Sequence, residues 1–428
     1  MILHRLRMLD ESGQPVRVAV VGAGQMGRGV VRQVARLAGM RVVGVCDLIL
    51  ERAWQAVEEA GLRPEEATGE AQVRTLVREG CVPVCSTPEP LLPEADVLVD
   101  ATGDPEAGAR LALLALHERK TLVTMNIETD ATVGPILAFL ARASGSVYTV
   151  GFGDEPAVLC EMVDFARILG LEVVCAGKGK NNRLDRTATP ASVEDEAAAR
   201  GMSARMLAAF IDGTKTMLEM TALANATGLG VDCPGMHGPE IDLAHLLDVL
   251  VPESRGGILK RSGVVEYAIG DVAPGVFLVV TTKDPLLRRD LAYLRLGEGP
   301  DYLLYRPYHL ASLELPLSIA RAALDREVTM QAQGAPKVDC VAVAKRDLAP
   351  GEVLDGIGGE TVYGRADDSE GVRTLKHVPI GIVAGARVRR AVPKGEPLTE
   401  DDVVLDEEKV VVQLRRLQDT LVAAGILR

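Results

Sequence analysis

One glycine turn and two lysine-bearing segments hold the residues whose spacing could do redox chemistry. The turn is Gly22-Ala23-Gly24-Gln25-Met26-Gly27, and Asp47 follows Gly27 by about 20 residues. An apolar run precedes the turn and a helical pattern follows it, so the three glycines occupy strand–turn–helix context. Gly22 permits the tight turn, Gly24 lets backbone approach a pyrophosphate, and Gly27 lets helix and strand pack closely. Free N–H groups at the helix start, with Gln25 and Met26, would meet the phosphates. Asp47 would accept hydrogen bonds from the adenosine ribose and repel a 2′-phosphate, which favours NAD over NADP. Arg52 is near enough in sequence to admit NADP by a swing of its side chain.

The first lysine segment is Gly177-Lys178-Gly179-Lys180-Asn181-Asn182-Arg183, expected as a loop after a strand over 171–176. Alternating glycines allow close approach of a ligand, and the lysines would neutralise a carboxylate or phosphate or polarise a carbonyl oxygen. The second is Asp212-Gly213-Thr214-Lys215-Thr216-Met217-Leu218-Glu219. On one continuous helix over 203–226, capped by Ser203 and stopped by Gly228, Asp212, Lys215 and Glu219 would share a face. The apolar flanks suggest burial, and buried charges need partners or a purpose. Lys215 is then a general acid/base, tuned by Asp212 and Glu219. His237, in the loop Cys233-Pro234-Gly235-Met236-His237-Gly238-Pro239, and His309 are further candidates. No metal-ligand spacing stands out among His237, Glu240, Asp242 and His245.

The elements that must position these groups follow from periodicity. Over the first 150 residues, short apolar runs alternate with helical stretches, which implies a doubly wound parallel sheet. Strands are expected at 17–21, 41–46, 96–100, 121–125 and 146–150, and helices at 25–38, 51–60, 105–117 and 131–144. Thr102 and Gly103 follow the strand ending at Asp100, and Asn126 follows the next, both at carboxyl ends where such sheets bind ligands. Beyond Gly151 the pattern becomes α+β, with helices at 156–169 and 310–324. Val264–Ile269 and Val276–Thr281 read as an antiparallel pair joined at Ala273-Pro274-Gly275. Beyond Gly334-Ala335-Pro336 the chain is rich in Gly, Pro and Val. Strands are expected at 338–344, 381–382 and 410–414, with a closing helix at 415–424. Residues 346–352 echo residues 391–397, an internal pseudo-repeat. The expected division is 1–152, 153–335 and 336–428.

Whole-chain composition narrows the classes. At 428 residues and 47% hydrophobic the chain can bury two or three cores. A net charge of −13 argues against nucleic-acid binding. No apolar run approaches the roughly 18 residues of a membrane span, and residues 1–16 lack the apolar core of a signal peptide. The seven cysteines form no CxxC pair and suit reduced thiols, so a cytoplasmic protein is expected.

These residues resemble the homoserine-dehydrogenase superfamily. Residues 176–182, 212–219, 225–229 and 235–239 look like its SAF-domain-bearing branch. Residues 343–351 and 394–398 resemble the SAF domain itself. The resemblance covers nearly the whole chain and implies an NAD(P)-dependent oxidoreductase acting on a small anionic hydroxy-carbonyl compound. Lys178 would count with Lys215, Asp212 and Glu219 as catalytic and would hold substrate with Lys180, Asn181, Asn182 and His237, with Thr102, Gly103 and Asn126 near the nicotinamide. One activity in that branch is a reductoisomerase converting deoxyxylulose phosphate to methylerythritol phosphate with NADPH. In that case a divalent cation held by Glu128, Asp154 and Glu155 would bind the vicinal oxygens. The alternatives are homoserine-type alcohol oxidation and a non-catalytic NAD sensor whose SAF module is the effector. A homo-oligomer, by superfamily analogy a dimer, is expected.

Overall fold

The computed structural model describes all of residues 1–428. The chain divides into two compact units. The first holds Met1–Ala157, Leu310–Gln331 and Ala423–Leu427. The second holds Val158–His309, Ala332–Val422 and Arg428. No helix is long and apolar enough to cross a membrane.

The first unit opens on helix α1 (Ile2–Glu11), which the sequence pattern does not reveal. Strands β1 (Val16–Val21) and β2 (Met40–Cys46) flank α2 (Gln25–Arg36), and α3 (Leu50–Glu59) follows. Then come β3 (Pro64–Glu66), α4 (Glu70–Arg78), β4 (Val82–Cys85), β5 (Val97–Asp100), α5 (Pro105–His117), β6 (Thr121–Thr124), α6 (Ile127–Ser144) and β7 (Tyr148–Val150). The seven strands run parallel in the order β3-β4-β2-β1-β5-β6-β7, the Rossmann-type arrangement the alternation predicts. Strands β3 and β4 are additions to the expected set; they are short and carry Pro64 and Pro83, which hides them from a periodicity argument.

The sheet's core is aliphatic: Val18, Val20, Val31, Val34, Val45 and Val99 pack with no large aromatic among them. Leu315, Ile319 and Ala322 join that core from α13 (Leu315–Asp325), so the segment expected as part of the second domain returns to the first unit. Its first turn is a separate 3₁₀ piece, Ala311–Leu313. Val150 bridges Met330 antiparallel, which covers the free edge of β7.

The boundary between units falls within α7 (Glu155–Ile168). In the second unit, β8 (Glu172–Lys180) lies in a four-stranded sheet with β9 (Val264–Ile269), β10 (Val276–Thr281) and β11 (Asp301–Arg306). The order β11-β10-β8-β9 corrects one expectation. Strands β9 and β10 do not pair with each other, because β8 inserts between them, parallel to β9 and antiparallel to β10. The connection over 270–275 is long enough to cross the end of β8. A Cβ on Gly179 would lie 2.2 Å from the Ala273 nitrogen, so only glycine lets that crossing pass.

The expected single helix over 203–226 is two: α9 (Ala204–Ile211) and α10 (Thr214–Thr227), after the short α8 (Glu194–Ala199). Gly213 sits between them at φ +85, a left-handed conformation that ends one helix and starts the next. Ser203 precedes α9 without a side-chain capping bond, and Gly228 closes α10 in the left-handed conformation. Two small helices, α11 (Leu246–Val249) and α12 (Pro285–Tyr293), complete this layer.

The last part of the second unit pairs β12 (Val338–Ala344) with β13 (Val362–Asp368), followed by α14 (Ser369–Leu375) and a second pair, β14 (Arg387–Val388) with β15 (Val403–Val404). The pseudo-repeat is structural: Leu348 and Val392 exchange both backbone hydrogen bonds (2.9 and 3.1 Å). Its glycines, Gly351 and Gly395, adopt matching φ values of +90 and +86. Two expected strands are absent. Ile380–Ile382 is a 3₁₀ turn, and residues 410–414 open the helix α15 (Val410–Ala423). A run of β-branched valines there outweighs helix propensity on paper, but Val411, Val412 and Leu414 are buried at helical spacing.

Candidate active site

The glycine turn of the first unit is built as its spacing predicts. Gly22 has φ +95, and a Cβ there would lie 2.5 Å from the Ala101 carbonyl oxygen. A Cβ on Gly27 would lie 1.8 Å from the Gly22 oxygen, so the helix–turn contact excludes any side chain. Gly24 meets nothing within 4 Å, and Gly24, Gln25 and Met26 are exposed at the start of α2. Backbone N–H groups of that first turn therefore face open space, which is the arrangement an anionic pyrophosphate needs.

Asp47 follows β2 with both carboxylate oxygens anchored. Oδ2 accepts from the Ala23 N–H (2.7 Å) and Oδ1 from the Ile49 N–H (2.8 Å). The turn and the acidic residue thus form one hydrogen-bonded piece. Arg52 is exposed on α3.

Thr102 and Asn126 meet, as their positions at neighbouring strand ends require. The Asn126 amide donates to Thr102 Oγ1 (3.0 Å) and to the Asp104 carbonyl (2.8 Å), and its oxygen accepts from Thr129 N–H (3.0 Å). Asn126 is fully buried and caps α6, which starts at Ile127 rather than 131. Both of its N–H donors are committed, so its side chain is a staple between strand ends. Thr102 Oγ1 in turn donates to the buried Asp100 (2.7 Å), whose carboxyl burial pushes above the usual carboxylate range. Gly103, left-handed at φ +68 and exposed, is the open member of this rim.

Helix α6 carries two buried carboxyls. Glu128 and Asp130 both lie in its first turn. Asp130 accepts from the Tyr148 hydroxyl (3.0 Å), and burial raises its pKa to about 7. Asp154 and Glu155 lie at the start of α7, and Glu155 is buried.

In the second unit, the expected lysine loop is strand. Residues 177–180 belong to β8, and Lys178 and Lys180 are both buried, two residues apart and so on one face of the sheet. Lys178 Nζ lies 2.5 Å from Glu219 Oε2 of α10, a pair taken out of water on both sides. Lys180 Nζ donates to the Phe210 carbonyl (2.6 Å) at the end of α9. Burial, and then the neighbouring Lys178 charge, lower its pKa to about 8. Asn181 and Asn182 form the turn beyond the strand, where Arg200 donates to Asn182 (3.1 Å).

Helix α10 is buried at every position except Lys215. The break at Gly213 overturns the expected single face, since Asp212 ends α9 and turns elsewhere. Its Oδ1 accepts from Thr214 N–H (2.7 Å), and its Oδ2 is 2.8 Å from the Lys345 ammonium. Lys345 follows β12 and was not a sequence candidate. Arg186, also unforeseen, donates to the Asp212 carbonyl (2.8 Å) and stacks on Tyr363 of β13 (4.9 Å).

His237 lies on a strained loop: Gly235, Met236 and Gly238 all have positive φ. The fully buried Glu266 accepts from the His237 and Gly238 N–H groups and faces His237 Nδ1 at 2.7 Å. Asp232 stands 3.5 Å from Nε2. The hydrogen bond to Glu266, the largest cause, raises the His237 pKa. With a carboxylate at each nitrogen the ring is set up as an imidazolium. His309, by contrast, faces the Pro274 carbonyl (2.9 Å). All seven cysteines are free thiols, and only Cys233 is not buried.

Residues 153–315 match the family model described as oxidoreductase DRL, catalytic domain, and residues 341–404 match the SAF domain. The chain carries an oxidoreductase catalytic domain followed by a SAF domain. Among solved structures it is similar to a probable dehydrogenase from Thermotoga maritima (11% identity, 73% of this chain and 90% of that one, TM-score 0.44). It is also similar to a putative myo-inositol dehydrogenase from Sinorhizobium meliloti 1021 (14%, 73% and 91%, TM-score 0.40). A third is myo-inositol dehydrogenase from Lactobacillus casei in complex with NAD(H) and myo-inositol (18%, 70% and 68%, TM-score 0.35). No curated protein matches the sequence.

Proposed function

We propose that this protein is an NAD(P)-dependent oxidoreductase that transfers a hydride to or from a small anionic hydroxy-carbonyl substrate, with Lys215 as general acid/base. The observation that carries the reading is α10, where thirteen of fourteen residues are buried and Lys215 alone is not. A helix this buried fixes where its one partly exposed lysine emerges, which is what proton transfer to a reacting oxygen requires.

A bound dinucleotide would donate or accept the hydride, and the rest is this chain's work. Gly22, Gly24, Gln25, Met26 and Gly27 would cradle its phosphates, Asp47 its ribose, and Thr102 and Gly103 the rim near the nicotinamide, with Asn126 stapling that rim. Asp47 favours NAD over NADP. Lys178, held by Glu219, and Lys180, with Asn181, Asn182 and His237, would hold the anionic substrate. The carboxylates at both ring nitrogens raise the His237 pKa and favour its charged form, which makes it a poor proton acceptor. Asp212 and Glu219 are reassigned from tuning Lys215 to pairing with Lys345 and Lys178.

Within this reading, the functional division remains 1–152 for the dinucleotide, 153–335 for chemistry and 336–428 for the SAF module, in a cytoplasmic homo-oligomer. The SAF-bearing branch of the homoserine-dehydrogenase superfamily, with its reductoisomerase, supplies the first substrate to try.

The test is nicotinamide absorbance on mixing the protein with deoxyxylulose phosphate and NADH or NADPH, with and without a divalent metal. Oxidation of either cofactor supports the reductoisomerase form. If neither is oxidised by protein that binds NAD, that substrate is removed and homoserine, hydroxy acids and sugar acids are assayed next. A protein that binds NAD yet turns over none of these would point to a sensor.

A further inference from the structure

The SAF domain contributes more than an appended module to the second unit. Strand β12 runs alongside α10 from end to end. At the helix C-terminus the Asn225 side chain accepts from the Lys337 and Val338 N–H groups (2.7 and 3.1 Å) and donates to the Val338 carbonyl (3.1 Å). At the N-terminus Lys345 reaches Asp212, and Gly364 of β13 donates to Thr214 Oγ1 (2.8 Å). The lengths agree. Seven strand residues span about 23 Å at roughly 3.3 Å each. The helix from Thr214 to Asn225 spans about 18 Å at roughly 1.5 Å each.

Lys345 is buried; its ammonium donates to the Ala188 and Gly359 carbonyls (2.6 Å each) and forms an ion pair with the Asp212 carboxylate (2.8 Å). It joins the SAF loop around Gly359, the segment before α8 and the break between α9 and α10. The carboxylate it holds anchors Thr214 N–H in the first turn of α10, one residue before Lys215.

We infer that Lys345 is a positioning residue that the SAF domain supplies to α10: by neutralising Asp212 at the helix start, it sets the place and electrostatic environment of Lys215. The inference rests on the reading of Lys215 as the catalytic amine. The charged groups around Asp212 are Lys345 after β12, Lys180 on β8 and Arg186 after β8, with Lys178 and Glu219 forming the adjoining pair. In the native protein Lys345 opposes the burial that raises the Asp212 pKa. Removing Asp212 leaves one positive charge at the start of α10, and removing Lys345 leaves a buried carboxyl that ionises only at higher pH.

The experiment uses the full-length protein and reductive methylation of Lys215 by formaldehyde and borohydride, followed by mass spectrometry across pH. NADH binding, read from nicotinamide fluorescence, reports separately on the first unit. Lys345→Met leaves Asp212 a buried carboxyl that ionises only towards higher pH, where the midpoint of Lys215 labelling is expected to rise by up to roughly one pH unit. Asp212→Asn leaves Lys345 positive, and the midpoint is expected to fall by a similar amount. The double variant carries neither charge, and its midpoint is expected to return to within a few tenths of the native value. If either single variant fails to fold, the other single and the double variant still give the sign and the rescue. Unchanged midpoints with a lowered urea midpoint would make Lys345 a mere structural clamp and overturn the inference, as would shifts of the same sign in both singles. None of these readings needs turnover, so a failure of Lys215 as the catalytic residue, seen as unaltered activity in Lys215→Ala, is distinguishable.

Discussion

At the scale of single residues, four side chains make separable claims. Lys215→Ala is expected to cut turnover by roughly 10²–10⁴-fold, the usual share of a general acid/base, with NADH affinity unchanged. Steady-state rates beside a fluorescence titration check this. Asp47→Ser removes a carboxylate anchored to the glycine turn, so NADH should bind roughly 10–100-fold more weakly and NADPH should lose less or gain.

Asp130 and His237 both carry raised pKa values, the first through burial and the second through a carboxylate partner. The Asp130 pKa is raised to about 7, so the folded protein holds a proton that the unfolded chain has lost above about pH 4. Its favourable contribution is present below pH 4 and is lost as pH rises towards 7. Asp130→Asn, which can still accept from Tyr148, should remove that slope and raise stability above pH 7 in urea titrations. His237 is raised by Glu266, so its contribution is full below about pH 6.5 and lost as pH rises through the higher folded value. His237→Gln should flatten the stability profile above pH 6.5. The glycine turn and Asp47 were legible from the sequence because their conformational demands are local. Lys345 was not, because its meaning depends on Asp212, which sequence separation hides.

At the scale of elements, the sequence revealed α5 and β12 with the observed limits. In α5, Asp104 caps the helix and Pro105 occupies the first turn; in β12, seven residues are buried without interruption. It misjudged β8, where glycines at 177 and 179 read as loop but serve close packing against Phe277 and Ala273. It joined α9 to α10 because both are apolar, though Gly213 marks the break. Gly213→Ala is expected to cost about 1–2 kcal/mol from the left-handed backbone alone. Contacts of 2.9 Å with Arg186 and Leu184 add to it, as a urea midpoint would show. The hairpin of β9 with β10 failed because sheet order is decided by what inserts between two strands, which no local turn reports.

At the scale of the molecule, alternation along the chain was enough for a doubly wound sheet, while the division into units was not local enough to read. Three sequence domains become two compact units, because the SAF domain buries α10 and because α13 rejoins the first sheet. A chain ending at Gly334 is therefore expected to bind NADH with its first unit while the second loses its cooperative urea transition. Limited proteolysis of the full chain should likewise release no stable fragment of 153–335.

The return of Leu310–Gln331 to the first unit also sets a timetable for synthesis. Strand β7 and the aliphatic face that Leu315 and Ile319 cover leave the ribosome early, but Leu315 and Met330 lie about 165 and 180 residues beyond Val150. At roughly 5–20 residues per second that is a wait of roughly 8–36 s. Throughout it a parallel sheet stands with one edge unbridged and an apolar face uncovered, a natural client for a chaperone that binds nascent chains.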